Sequence, residues 1–348
     1  MDWLVTADRL FDGERMIADG AVAITGDRVV AVGAAARASS ARRTRAFANA
    51  TILPGLVDLH VHGMGCGQVA SAITTVRDLA APLSVLPFEQ RARAPRVVPA
   101  GPFLAAPGGY PAPVFGIAIT KVVRGTKEAR AAVKLLARRG AGVIKVGLTS
   151  RFPNLSRAEL LAIVDEAHAA GLRVSAHVDE SEGTRTALDV GVDDLAHTPA
   201  ERDERLMRSL ARAGIEIVGT LHVRRYARAA ALANARAFVR AGGTLLYGSD
   251  FGNPGIPPGV DGEELRLMRR AGLSPLDVLR NATARAGSVL GSSSVGRLRA
   301  GASADLAVVD GDVLRDVTRV AAVPRLLLVR GSAAIDGVRF SPPAFGSC

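Results

Sequence analysis

The sequence predicts an α/β protein: a (β/α)8 TIM barrel carrying a small β-sandwich domain formed by its N- and C-terminal segments. Two observations predict it. Through the middle of the chain eight short apolar runs alternate with helical patterns, as in βα units that build a parallel sheet. Both ends read instead as hairpins, with "AVAITGDRVVAVG" near the start and "VPRLLLVRGSAAIDG" near the finish.

Taken in order, residues 1–50 hold "WLVTADRLFDG", a hairpin around Gly-Asp, and a small basic linker. Residues 296–348 return as strands, beginning with "GRLRAGASADLAVVDGD", so the two ends are expected to pair into one small domain. Residues 51–295 make the barrel. Its strands are "TILPGLVDLHVH", "AITTVRDL", "PRVVPAGPFL", "GVIKVGLT", "RVSAHVD", "DDLAHT", "EIVGTLHV" and "TLLYGSD". Helices such as "KEARAAVKLLARRG" and "SRAELLAIVDEAHAAG" lie between them. The second opens on Ser156 with Glu159 three residues on, a capping box, and stops at Gly171. The rival is a doubly wound open sheet, but no glycine-rich fingerprint follows any strand.

The totals exclude several classes. No apolar segment reaches the ~18 uncharged residues of a membrane span. The start, "MDWLVTADRLFDG", lacks the pattern of a signal peptide, and Cys66 and Cys348 are too few for a disulfide framework. A cytoplasmic protein without a membrane partner is expected. The net charge of +11 is spread along the chain, and only 4% of residues are aromatic, which leaves no stacking platform for a nucleic acid. A small-molecule substrate and a homo-oligomer are the expectation.

Ionisable residues recur at the strand ends. His60 and His62 close the first strand, Lys145 lies in the fourth, His177 ends the fifth, His197 the sixth and Asp250 the eighth. The steps from His62 onward are 83, 32, 20 and 53 residues, each close to whole βα units, so the side chains converge on one mouth of the barrel. Residues i and i+2 of a strand share a face, so His60 and His62 both point inward. A single strand histidine is usually a hydrogen-bonded core residue. Several polar side chains buried without partners would cost several kcal/mol each, however, and together they indicate a metal site. Paired imidazoles suit zinc or another borderline divalent ion, with manganese, iron and cobalt also compatible. Such an ion brings the pKa of its water toward ~7, and Asp250 is placed to take the proton as general base. His222 is expected at the end of the seventh strand, as a substrate contact or as a hydrogen-bond partner of a residue that holds the metal. Arg224 and Tyr226 follow it, either to clamp a carboxylate or as part of a solvated basic loop. His168 reads as a surface residue, and Cys66 as incidental.

At these residues the sequence resembles the amidohydrolase superfamily, in its imidazolonepropionase-like and prolidase-like branch. "ILPGLVDLHVH", "TTVRDL", "GVIKVG", "VSAHVDE", "DDLAHT", "LLYGSDFGNPG" and the tail "EELRLMRRAGLSPLDVLRNATARAGSVLG" carry the likeness. The resemblance implies a binuclear zinc-type centre. His60, His62 and Asp250 would hold one ion, His177 and His197 the other, and a carbamylated Lys145 would bridge them. Three segments depart from the family pattern, one of them the short "GLTSRFPNLSRAEL" after Lys145. Only nine residues separate His62 from "AITTVRDL", which would open the site or leave it to another subunit. The loop "AAPGGYPAPVFG" lacks the histidine or acid expected there. The function implied is hydrolysis of amide-type C–N bonds in a dipeptide, an N-acyl amino acid or a cyclic amide. Two alternatives stand beside it: a mononuclear deaminase or ring-opening hydrolase using Glu180 as proton shuttle, and a non-catalytic barrel that only binds.

Overall fold

The computed structural model describes residues 1–63, 71–337 and 339–340. The apolar runs of the middle become parallel strands. In barrel order they are Leu56–Val61, Ile73–Asp78, Arg96–Pro99 with its continuation Phe103–Ala105, Ile144–Leu148, Val174–Val178, Asp194–Leu195, Glu216–Val218 and Leu245–Leu246. The third strand is broken in two at Gly101, whose φ is +72°. Its second half pairs with the fourth strand, Leu104 opposite Val146. The eighth strand closes on the first through Asp250 N donating to His60 O at 2.8 Å and a parallel bridge between Val61 and Phe251. An extra short strand, Thr120–Val122, pairs with Phe103–Ala105.

Helices pack on the outside because each buries one face. In Gly125–Arg138 the buried residues are Ala129, Ala132, Val133 and Leu136, at helical spacing. The helix Arg157–Ala169 starts at the expected capping box: the Ser156 side chain accepts from Glu159 N while the Glu159 carboxylate accepts from Ser156 N. Gly171, at φ +70°, follows its end. Ser181–Val190, Glu204–Ala213, Arg228–Arg240 and Gly262–Arg270 continue the outer ring. The second strand departs from the regular βα repeat, for it is followed only by the 3-10 turn Leu83–Val85. Among the described residues no helix is long and apolar enough to cross a membrane.

The chain ends do pair. Arg43–Pro54 lies between Trp3–Phe11, parallel to it, and Leu306–Asp310, antiparallel. Met16–Thr25 and Arg28–Val32 extend the sheet on one side, and Leu326–Val329, Ser332–Asp336 and Arg339–Phe340 on the other. Where a two-layer sandwich was expected, the structure has one continuous eight-stranded sheet. Arg43–Pro54 is hydrogen-bonded along both edges and joins what would have been two layers. The edge strand Arg28–Val32 is drawn back toward the return segment by Val29 N to Ala302 O at 3.0 Å, with Ala304 N to Asp27 O at 2.8 Å beside it. Trp3, Val5, Ile24, Ile52, Leu306 and Leu328 form a core between these parts.

Candidate metal centre

Asp58, two residues before His60, is fully buried and accepts from Ser249 N (3.0 Å), Ser249 Oγ (2.5 Å) and His60 N (3.1 Å). It clips the first strand to the chain entering Asp250. Burial pushes its carboxyl up to about 7. Gly248 permits the close approach, since a Cβ there would sit 2.3 Å from Val218 and 3.1 Å from His60.

With both strands held, the imidazoles gather. Ring centroids step from His62 to His60 (5.1 Å), His60 to His197 (4.6 Å) and His197 to His177 (4.7 Å). His60 Nδ1 lies 2.8 Å from Ala196 O, which fixes that nitrogen as the donor and leaves Nε2 as a lone pair. Burial holds the pKa values of His60 and His197 well below the usual histidine range and lowers that of His177, so the rings are neutral at physiological pH. His197 Nδ1 is 2.9 Å from Thr220 Oγ1. Thr220 is buried at φ +43°, a conformation rarely taken by a β-branched residue.

Asp250 is buried at φ +61°. Its Oδ1 lies 3.1 Å from His62 Nε2 and 3.3 Å from His60 Nε2, yet no hydrogen bond of good geometry reaches it. Burial would raise its pKa, but neighbouring charge, that of Arg224 included, acts against it and holds the group below the ordinary carboxylate range. Among the described residues, ligand atoms of His60, His197 and Asp250 all lie within 4.8 Å of one another, so the two expected ligand groups adjoin through His197. Lys145 is fully buried, and its Nζ has no hydrogen-bond partner. Burial, reinforced by the charge of Arg77, lowers its pKa to about 7. Imidazoles converging on an open carboxylate oxygen, with a readily deprotonated amine buried behind them, form a donor set that fits a divalent cation.

The histidines and Asp250 line a cavity of about 500 Å³ together with Arg224 and Tyr226. Arg224 is neither a solvated loop residue nor a free clamp. It is 4% exposed, and its guanidinium donates to Asp179, to the Tyr226 hydroxyl (2.6 Å), to Val178 O (2.7 Å) and to Thr198 O (3.2 Å). Tyr226 stands exposed at the rim.

Lys145 is buried but is not among the residues lining the cavity, and two further expected residues lie elsewhere. His222 is not among the lining residues: the seventh strand ends at Val218, and the following turn carries His222 to Asp261, Nδ1 to Oδ2 at 2.6 Å. Its backbone N–H donates to buried Glu264, whose other oxygen has no partner. Burial, then the neighbouring Asp261 charge, pushes the Glu264 pKa well up. Glu180 also lies off the cavity and accepts from Ser150 N at 3.2 Å. His168 is on the surface beside Asp193, and Cys66 lies outside the described residues.

Two residues of the site were missed. Asp179 lines the cavity, with one oxygen 3.1 Å from His177 Nε2 and the other on Arg224. Its position two residues after His177 was the available signal. Tyr110, in the loop noted for lacking a histidine, stacks on His177 with centroids 4.3 Å apart. Burial raises its phenol pKa, which keeps the hydroxyl protonated.

This barrel and its converging ligands define a class, and the chain belongs to the amidohydrolase family, whose sequence model matches residues 51–334. It is similar to an ochratoxinase from Aspergillus niger, 32% identical over 253 residues, a match covering 63% of this chain and 52% of that protein. The chain thus spans about half the length of that relative. It is also 27% identical to an imidazolonepropionase from Deinococcus radiodurans over 358 aligned positions, covering 87% of this chain and 88% of that one. The crystal structure of a Xaa-Pro dipeptidase with bound methionine superposes with a TM-score of 0.81 at 20% identity, over 95% of this chain and 99% of that one, a likeness of fold alone.

Proposed function

We propose that this chain is a metal-dependent hydrolase of amide-type C–N bonds. The observation that carries the reading is the buried group of His60, His197 and Asp250, with an open carboxylate oxygen, close to an unpaired Lys145. His60, His62 and Asp250 would hold one ion, His177 and His197 a second. Lys145, with a pKa lowered to about 7, has a substantial uncharged fraction near neutrality that could add carbon dioxide: an Nζ–C bond forms, a proton leaves, and the carbamate would offer two oxygens to the ions. A divalent ion, zinc or else manganese, iron or cobalt, supplies Lewis acidity and an acidified water when bound. Asp250, a carboxylate at neutral pH, accepts the proton of the attacking water and returns it to the departing nitrogen. Asp179 and Thr220 orient His177 and His197 through hydrogen bonds to their other ring nitrogens.

The names of the ochratoxinase and imidazolonepropionase relatives, and of the Xaa-Pro dipeptidase of like fold, support hydrolysis. The deaminase reading loses its acid, because Glu180 is engaged by Ser150 N away from the cavity. The test is metal analysis of reconstituted protein with a screen of dipeptides, N-acyl amino acids, lactones and aminopyrimidines. About two ions per chain and release of an amine are expected. Ammonia from an aminopyrimidine, or no bound metal, would sink the reading. Lys145→Ala that leaves metal content and turnover unchanged would sink its binuclear form.

A further inference from the structure

We propose that the amide taken by this site carries an aromatic ring and has no need of a carboxylate. This rests on the hydrolase reading above and names its substrate class. The chain has one tryptophan, three tyrosines and ten phenylalanines in 348 residues, yet Phe103, Tyr110, Phe115, Phe152 and Tyr226 all line the cavity over the histidines. Tyr110 is the hub. It meets Phe103 (5.7 Å) and Phe115 (6.1 Å) edge to face and Phe152 in a stack (6.5 Å), while its other contact is His177. An unbroken aromatic surface therefore runs from a candidate ligand to the rim.

Among the described residues that rim is exposed. Phe115 is 57% exposed and Val114 51%, and the segment 111–119, "PAPVFGIAI", bears no charge. Exposed apolar surface continuous with a cavity marks a place where an apolar group docks. The cations tell the same story. Arg224 already spends four of its five donors on Asp179, Tyr226 and two carbonyls, so a substrate carboxylate gripped by both prongs would have to displace an internal partner. Arg151 also lines the cavity, but it is exposed and lies 5.7 Å over the Phe152 ring, where water screens it. An aromatic ring gains from the stacked walls, whereas among the described residues lining the cavity a carboxylate meets no buried guanidinium that lacks internal partners.

The experiment compares N-benzoyl-L-proline, N-acetyl-L-proline and N-benzoylpyrrolidine on the metal-loaded protein. The benzoyl carbonyl is intrinsically the less reactive, so a preference for it reports binding. kcat/KM is expected to be at least about tenfold higher for benzoyl than for acetyl proline, and to change less than about threefold when the carboxylate is removed. Phe115→Ala should reduce the benzoyl-to-acetyl ratio by roughly fivefold. Equal rates for both acyl groups, or a loss above about tenfold on removing the carboxylate, would overturn the proposal. If none of the three is hydrolysed, the hydrolase reading is what fails. Calorimetric binding of N-benzoylpyrrolidine then still decides the cavity: affinity weakened by Phe115→Ala supports it, and no binding to the native chain refutes it.

Discussion

Two groups of buried charge sit inside this barrel, and they are completed differently. In one, Arg77 grips Asp194 with both prongs, at 2.8 and 2.9 Å, while its Nε donates to Leu59 O and Ser175 Oγ donates to Asp194. In the other, Lys145 Nζ and Asp250 Oδ1 are equally hidden from water and have no hydrogen-bond partner. Burial of polar atoms is tolerated when the partners come from the chain itself. An atom left open costs ~1–3 kcal/mol, and here the open carboxylate oxygen sits among imidazoles on a cavity, where a partner from outside can reach it.

The contrast can be broken from either side. Arg77→Met strands Asp194 and should cost about 3–5 kcal/mol in urea unfolding, most of it recovered in the double variant with Asp194→Leu. Asp250→Asn should lower kcat/KM about 10³-fold and leave the urea midpoint nearly unchanged. A midpoint shift as large as that of Arg77→Met would erase the distinction. Lys145→Met removes an unpaired amine, so the metal-free protein should gain about 1–2 kcal/mol while bound metal falls on mass analysis. Thr220→Val should weaken zinc binding about tenfold in a chelator competition, with Thr220→Ser restoring it. The smallest effect sharpens the comparison at a third buried acid. Glu264 keeps its proton in the folded state well above the ordinary carboxylate range. The unfolded chain releases that proton first, so stability falls as pH rises. Glu264→Gln should flatten this slope between pH 5 and 8 in thermal melts.

Much of the site was legible because strand ends are local. An apolar run followed by histidine two apart fixes both the element and the face, and spacing in whole βα units brings distant strands to one mouth. The Ser156 cap was legible for the same reason. His222 was not. Its strand stops at Val218, and the chain then turns through Thr220 in the left-handed region, which no hydrophobic period reports. Asp179 and Glu180 are neighbours in sequence, but only Asp179 has the parity of His177, and that single step decides which acid enters the cavity. Tyr110 reaches His177 from a loop whose path is set by tertiary packing. The single outer sheet in place of a sandwich depends on strand order, which local pattern does not encode.

That sheet has a consequence for assembly. Val308 pairs with Ile52, and the Trp3 indole N–H donates to Gly331 O across a separation of 328 residues. During synthesis the first strands therefore wait on the ribosome with one long edge uncovered until residues 306–336 emerge. The edge of Arg43–Pro54 stays open until Leu306–Asp310 is made, and it is the place where a stalled or truncated chain would capture a stranger's strand.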